Sequence, residues 1–152
     1  MNDLICELVK EDDPFLRETP EVFNFENPQV DPEKLEKLLI DNMIHHRGIG
    51  LSANQIGIPV KVFAMAMDNN IIVVFNPEIL ELSDETTYIR EGCLSFPDDS
   101  VVTERFTSLT VIADNHEQPL NFSEENLLEC VCVQHEIDHL NGITMFDRQY
   151  KK

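Results

Sequence analysis

Two histidines four residues apart, with a glutamate directly after the first, stand in the stretch VCVQHEIDHLNG at residues 131–142. On an α-helix, which advances about 100° per residue, His135 and His139 lie one turn apart on one face, where both imidazoles can reach a single metal ion. Glu136 then lies beside that ion, close enough to accept a proton from a bound water molecule. The pattern predicts a hydrolytic metal site, but the spacing alone also fits a solvated helix face.

A catalytic zinc or iron ion generally takes three protein ligands and leaves one position open for water. A known longer motif would place the third ligand six residues after His139, but that residue is Met145. The ligand is therefore expected upstream. Cys132 lies near the same helix face, yet three ligands in a row along one helix cannot surround an ion tetrahedrally, and Cys130 points away. We interpret both cysteines as small buried residues.

A third cysteine has a different setting, in REGCLSFPDD at residues 90–99. Gly92 lets the backbone pass close to a ligand, and Pro97 stiffens the segment after the cysteine. A thiolate from this separate segment would complete a set of one sulfur and two nitrogens that suits a soft or borderline metal. Taken alone, however, a cysteine such as Cys93 is more often a core thiol than a ligand.

A glycine-rich stretch, RGIGLSANQIG at residues 47–57, contains three of the chain's five glycines. Such crowding suggests a backbone that runs against a substrate, with Gln55 offering an amide donor. On its own this signal is weak, because two neighbouring glycines usually indicate a turn.

Together, GIGLSANQ (48–55), EGCLS (91–95) and QHEIDH (134–139) resemble the three motifs of the peptide deformylase family, in the family's order. The match spans residues 47–142. The resemblance implies an α+β fold in which antiparallel strands pack around a central helix that carries the metal histidines. It also implies that Cys93 is the third metal ligand.

The resemblance implies a metal-dependent enzyme that removes the formyl group from N-formylmethionyl peptides and releases formate. A water activated by the metal attacks the formyl carbon, and Glu136 takes its proton and passes it to the leaving amine. The Gln55 amide and the Leu94 backbone N–H, with the metal, stabilise the oxyanion. The family points to Fe2+ as the metal in the cell, whereas Zn2+, Ni2+ or Co2+ can replace it.

The same match assigns the substrate-binding residues. The peptide backbone would lie along Gly48, Ile49 and Gly50 as an added strand. Glu91 and Gly92 belong to the opposite loop, where Glu91 either pairs with Arg105 and braces the loop or forms an ordinary surface pair. The pocket for the methionine side chain would be lined by Ile49, Ile89, Leu128, Val131 and Cys132.

Composition and charge agree with this interpretation. With 152 residues, a mass of 17.5 kDa and 42% hydrophobic residues, the chain is expected to form one globular domain, residues 1–152. The N-terminal stretch MNDLICELVK lacks the features of a secretory signal, and no apolar stretch reaches membrane-spanning length. Four cysteines without such a signal indicate reduced thiols and a cytoplasmic location.

The net charge of −18 argues against nucleic acid as a direct ligand. Many relatives continue past the second histidine into a further helix, which this sequence lacks after DRQYKK at residues 147–152. Shortened members of the family occur in bacteriophages, so we take a bacteriophage origin, and hence a location in the host cytoplasm, as a hypothesis. We expect no stable docking to the ribosome through this short C-terminus.

Secondary structure is expected to follow a mixed pattern. Asp31 can cap and Pro32 can open a helix, with Leu35, Leu38, Leu39 and Met43 on its inner side, that ends at Gly48. Ser123 can cap a second helix that ends near Leu140, before Asn141 and Gly142. Strands are predicted in VKVFAMAM and IIVVFNP, joined by a turn at residues 68–70, and at residues 79–90 and 101–113, with a turn in NHEQP at 115–119.

Two rival functions remain open at this point. The first is another metal-dependent amidase or peptidase with the same ligands, and the second is a non-enzymatic fold that contains a structural metal. A structural site would require four ligands, and only three are evident. The other histidines, His45, His46 and His116, are expected at the surface.

Overall fold

The structure, a computed structural model, describes residues 5–10 and 13–150. Within these residues two α-helices, α1 (Pro32–His45) and α2 (Leu127–His139), combine with antiparallel strands in an α+β fold. Short 3-10 helices lie at Pro14–Arg17, Ala53–Ile56, Glu124–Asn126 and Met145–Arg148. The strands, in chain order, are β1 (Gly50–Ser52), β2 (Val62–Met67), β3 (Asn70–Phe75), β4 (Glu78–Leu82), β5 (Thr86–Cys93), β6 (Phe96–Phe106), β7 (Leu109–Ala113) and β8 (His116–Phe122).

The strands form three antiparallel sheets, in the orders β1-β2-β3, β4-β7-β8 and β5-β6. The first sheet lies between the two helices. Side chains of β2 alternate between the two faces of this sheet, and each set packs against a different helix. Val62 and Ala64 pack into the hydrophobic cluster that contains the inner side of α1. Phe63 and Met65 pack into the cluster that contains α2.

Helix α2 is buried on all sides after its first turn. Every residue from Cys130 to His139 is buried, including the polar ones. Such a helix is surrounded by protein rather than lying at the surface. The predicted arrangement of antiparallel strands around a central helix is therefore confirmed, and Cys130 and Cys132 are buried as expected.

Helix α1 begins as predicted, since Asp31 accepts a hydrogen bond from the backbone N–H of Lys34. Its end differs from the prediction, because the helix stops at His45 and not at Gly48. Arg47, with φ 60°, adopts the left-handed conformation after the helix. The N–H of Gly48 donates to the Met43 carbonyl at 2.9 Å, which closes the helix in a Schellman motif. A glycine is the usual occupant of the position that Arg47 takes.

The predicted hairpin between β2 and β3 is confirmed, with a two-residue turn at Asp68 and Asn69. The turn between β7 and β8 lies at residues 114–115 rather than within 115–119. The second helix starts later than predicted, because Ser123 caps the 3-10 turn Glu124–Asn126 that precedes α2.

The long strands predicted at 79–90 and 101–113 were wrong as continuous elements. Each is interrupted, and its two halves belong to different sheets. The interruptions meet at Ser83, whose hydroxyl accepts backbone N–H bonds from Thr107 at 3.1 Å and Ser108 at 3.2 Å. Because these hydrogen bonds replace part of a strand ladder, both segments of the chain pass from one sheet to another at the same point.

Two of the three remaining histidines are half-buried rather than fully exposed. The ring of His46 contacts the Cys6 carbonyl at 3.0 Å, and that of His116 contacts the Val73 carbonyl at 2.9 Å. His45 is exposed. Among the described residues, no helix combines the length and the apolar character that crossing a membrane requires.

Candidate active site

The three predicted metal ligands converge from two elements. Cys93 ends β5, whereas His135 and His139 lie one turn apart on α2. The two histidine Nε2 atoms are 3.1 Å apart, and Cys93 Sγ lies 3.4 Å from His139 Nε2. Tetrahedral ligands at ordinary metal–nitrogen and metal–sulfur bond lengths lie about 3.3–3.6 Å apart. All three ligand atoms lie within 4.8 Å of one another, so the set fits a single ion.

His135 is oriented by Glu91. Its Nδ1 lies 2.8 Å from Glu91 Oε1, which leaves Nε2 directed toward the other ligands. Glu91 is also bound by Arg105, through Nε at 2.5 Å and Nη2 at 2.9 Å, and by the Thr103 hydroxyl. Glu91 and Arg105 are only 6% and 3% exposed, so they form a buried pair and not a surface pair.

The buried pair continues to the C-terminal segment. Arg105 Nη1 donates to Asp138 at 2.6 Å, and Arg148 donates to the same carboxylate at 3.0 Å. Burial by itself would raise the pKa of Glu91, but the hydrogen bonds from His135 and Arg105 outweigh it and lower the pKa to about 2. Glu91 therefore remains an anionic acceptor for His135.

The second histidine is held through its backbone. The Asn54 side-chain amide donates to the His139 carbonyl at 2.7 Å. Burial and the neighbouring positive groups His135 and Arg105 lower the pKa of His139 well below its ordinary value. A neutral imidazole is the form that binds metals. Sequence reasoning assigned no role to Asn54, which stands next to Gln55 in the glycine-rich motif.

Glu136 lies beside the ligand set and is 3% exposed. Its Oε1 atom is buried and accepts no hydrogen bond from the described residues. Burial raises the pKa of Glu136 to about 7, although the charge of His135 acts in the opposite direction. A carboxyl group with this pKa can both accept and donate a proton near neutral pH.

Gln55 points its amide toward the ligands. Its Oε1 accepts the backbone N–H of Ser52 at 3.1 Å, which fixes the orientation of the group. Its Nε2 then lies 3.5 Å from Cys93 Sγ and 3.2 Å from Ser95 Oγ. Leu94 lies between Cys93 and Ser95 in the chain and lines the adjoining cavity.

An open cavity of about 430 Å³ lies in front of the ligands and Glu136. Ile49 and Leu128 at its wall are 47% and 61% exposed, so both side chains present apolar surface that a ligand could cover. Arg47 and Arg90, which sequence reasoning did not assign to the site, also line the cavity. It brings together all the predicted substrate-binding residues: Gly48, Ile49, Gly50, Ile89, Glu91, Gly92, Leu128, Val131 and Cys132.

A half-buried cysteine sulfur and two buried imidazoles, with a carboxyl group beside them and an apolar cavity in front, are typical of metal-dependent hydrolases. Comparisons with known proteins specify this class further. The sequence model of the polypeptide deformylase family matches residues 5–152. Peptide deformylase from Bartonella henselae is 39% identical over 140 residues, which cover 89% of this chain and 78% of the relative.

Solved structures agree with the sequence comparison. Peptide deformylase from Thermotoga maritima superposes with a TM-score of 0.83 at 34% identity, over 97% of this chain and 99% of that one. A class I type b peptide deformylase from Acinetobacter baumannii, crystallised with Met-Ala-Ser bound, superposes with a TM-score of 0.86 at 27% identity, with the same coverage.

The chain belongs to the peptide deformylase family, whose members are metal-dependent hydrolases that deformylate nascent polypeptides. The family, the fold and the enzymatic function inferred from the three motifs are confirmed. Neither a different amidase nor a purely structural metal protein is favoured by these comparisons.

Proposed function

We propose that this deformylase binds its metal through Cys93, His135 and His139 and uses Glu136 as the proton-transferring group. The observation that carries the proposal is the convergence of three ligand atoms within 4.8 Å beside the buried Glu136 carboxyl group, whose Oε1 has no hydrogen-bond partner among the described residues. When bound, the metal would polarise the formyl carbonyl and lower the pKa of a water molecule. The substrate is an N-formylmethionyl peptide.

Glu136 would hold the attacking water and take its proton as the oxygen adds to the formyl carbon. The same proton would then pass to the leaving nitrogen as the carbon–nitrogen bond breaks. The products are formate and a peptide with a free amino group. A pKa of about 7 for Glu136 suits both transfers.

Gln55 and Leu94 would stabilise the negative charge that develops on the formyl oxygen. The Gln55 Nε2 group is directed toward the ligands before any substrate arrives, because Ser52 holds the opposite end of the amide. The Leu94 backbone N–H follows the Cys93 ligand directly. Donors positioned in advance need no reorganisation during the reaction, which is why they lower the barrier.

The substrate peptide would lie along Gly48, Ile49 and Gly50. Strand β1 is at the edge of its sheet, since Gly50 pairs with Met65 on one side only. An added peptide strand could therefore pair with its free edge. The methionine side chain would fill the apolar part of the cavity and cover the exposed Ile49 and Leu128 side chains.

The direct test compares formyl-Met-Ala-Ser with unformylated Met-Ala-Ser. The metal-loaded protein is expected to release formate from the first peptide and to leave the second unchanged. Cleavage of an internal bond in the unformylated peptide would instead indicate a peptidase.

Replacing Leu128 by Trp is expected to raise the KM for formyl-Met-Ala-Ser about tenfold, because the larger side chain occupies space meant for methionine. The melting temperature should change by no more than about 2 °C, since Leu128 is 61% exposed. Leu80→Trp is the matched control: Leu80 is 57% exposed and lies on β4, outside the cavity. Unchanged kinetics for Leu128→Trp would place the methionine pocket elsewhere.

We propose Fe2+ as the metal in the cell, with Zn2+, Ni2+ and Co2+ as possible replacements. A thiolate ligand and an open position expose Fe2+ to oxygen, whereas divalent affinity series favour Ni2+ and Zn2+ at a given site. When the two forms are stored in air, the activity of the iron-loaded enzyme is therefore expected to decline, whereas the nickel-loaded enzyme should keep its activity. Equal lifetimes of the two forms in air would contradict this proposal.

We further propose a cytoplasmic location and substrate capture by free diffusion, without stable ribosome docking through residues 148–152. The net charge of −18 opposes approach to ribosomal RNA. In co-sedimentation with purified ribosomes at low salt, the protein should remain in the supernatant. A tight, salt-sensitive association that disappears when residues 148–152 are deleted would contradict the proposal.

A further inference from the structure

Two arginines, Arg47 and Arg90, line the cavity. The chain has 29 acidic and 11 basic residues, so acceptors for arginine are abundant. Arg47 and Arg90 line the cavity and are exposed, yet within residues 5–10 and 13–150 neither forms an ion pair. The three arginines outside the cavity all do, as Arg17–Asp147, Arg105–Glu91, Arg105–Asp138 and Arg148–Asp138.

The two arginines reach the cavity from different segments of the chain. Arg47 directly precedes the segment Gly48–Gly50, and Arg90 lies on β5 next to Ile89. The only hydrogen bond of the Arg90 side chain to a described residue goes to the Ser100 hydroxyl, at 3.0 Å. That neutral partner fixes the guanidinium without cancelling its charge.

We propose that Arg47 and Arg90 make this enzyme select formylmethionyl peptides with an acidic residue after the methionine. The proposal rests on the proposed peptide position along Gly48–Gly50. The apolar part of the cavity receives methionine, so side chains of the second and third residues reach the mouth. A guanidinium binds a carboxylate with two parallel hydrogen bonds, and repels a lysine.

This local charge opposes the charge of the whole molecule. A protein of net charge −18 repels acidic peptides at long range. Two guanidinium groups without an ion-pair partner in residues 5–10 and 13–150 would instead attract a carboxylate of the peptide at short range. The selection is therefore expected to depend on these two residues and to weaken as salt screens them.

Arg47 offers a way to separate charge from backbone geometry. Its φ of 60° lies in the left-handed region that favours glycine. Arg47→Gly removes the charge and relaxes the backbone, whereas Arg47→Gln removes the charge and keeps the unfavourable conformation. The two variants should melt at different temperatures, with the glycine variant higher, and should show the same loss of selectivity.

The experiment measures kcat/KM for formate release from C-terminally amidated peptides, which lack a terminal carboxylate. Glu, Gln or Lys is placed second in formyl-Met-X-Ser-amide or third in formyl-Met-Ala-X-amide. At low salt, and at one of the two positions or at both, we expect kcat/KM for the Glu peptide to exceed that for the Lys peptide about fivefold, with the Gln peptide between them. In 0.5 M salt the Glu-to-Lys ratio of kcat/KM should fall below about twofold. In the Arg47→Gln, Arg90→Gln double variant the Glu-to-Lys ratio should approach one.

Lys61→Gln is the matched control, because it removes one positive charge outside the cavity. This variant should keep the wild-type Glu-to-Lys ratio of kcat/KM. If its ratio were as close to one as that of the double variant, the proposal would be overturned. Equal rates with Glu, Gln and Lys at both positions in the wild-type enzyme would also overturn it. Formate release from none of the peptides would instead contradict the proposed function.

Discussion

Glu136→Gln is expected to lower kcat for formyl-Met-Ala-Ser about a thousandfold while metal content stays at the wild-type level. The glutamine amide has nearly the same shape but cannot take a proton from water or deliver one to the leaving nitrogen. The three ligand atoms come from other residues, so the metal should remain bound. Steady-state kinetics and metal analysis of the same preparation test the two halves of this expectation.

The stability of the metal-free variant provides a control. Burial raises the folded-state pKa of Glu136 from 4.5 to about 7, so the ionised side chain increasingly opposes folding as the pH rises from 4.5 to 7. At pH 8, the melting temperature of metal-free Glu136→Gln should therefore be equal to or higher than that of the metal-free wild-type protein. Wild-type turnover by Glu136→Gln would show that another group transfers the proton.

The part of the site that could be predicted from sequence depends on local geometry or on the family motifs. The spacing of His135 and His139 has a direct meaning on a helix, since residues four apart share a face. No spacing rule connects Cys93 to these histidines, because they lie on separate elements. The resemblance to the deformylase motifs supplied that connection, and the structure brings the three ligand atoms within 4.8 Å.

The residues that sequence reasoning missed act over long distances in the chain. Asp138 lies next to a ligand, but its partner Arg105 is 33 residues away, and Arg148 reaches the same carboxylate from the C-terminal segment. A carboxylate on a helix usually indicates a solvated face. Only the folded chain shows that this one is buried and connects the C-terminal segment with Arg105 and Glu91.

The sheet arrangement was hidden for a related reason. Residues 101–113 have the composition of a strand nearly throughout, and in 79–90 only the turn-forming residues Ser83 and Asp84 mark a break. The break is fixed by Ser83, whose hydroxyl accepts N–H groups from residues 107 and 108 on the other chain segment. It frees β5 to continue to Cys93, while β4 joins a different sheet. Tertiary hydrogen bonds thus determine where the ligand-bearing strand lies.

Gly50→Ala is expected to lower kcat about a hundredfold, because the added methyl group displaces the proton-transferring carboxyl group. A Cβ at this position would lie 2.6 Å from Glu136 Oε2 and 2.7 Å from Cys132 Sγ, well inside contact distance. Gly50 is buried and paired with Met65 in β1, so its backbone has little room to move away. A displacement of about 1 Å in a reacting group can cost a factor of this size. Kinetics with formyl-Met-Ala-Ser measure the loss.

A second glycine separates this steric effect from lost stability. Gly57 has φ 84°, which disfavours alanine, but a Cβ there meets no atom within 4 Å. Gly57→Ala should therefore lower the melting temperature while keeping a kcat close to that of the wild type. Gly50→Ala should lose turnover while its metal content stays unchanged, since the new methyl group points at Glu136 and Cys132 rather than at the ligands. If the two variants lost turnover in proportion to their loss of stability, crowding of Glu136 by residue 50 would not explain the effect.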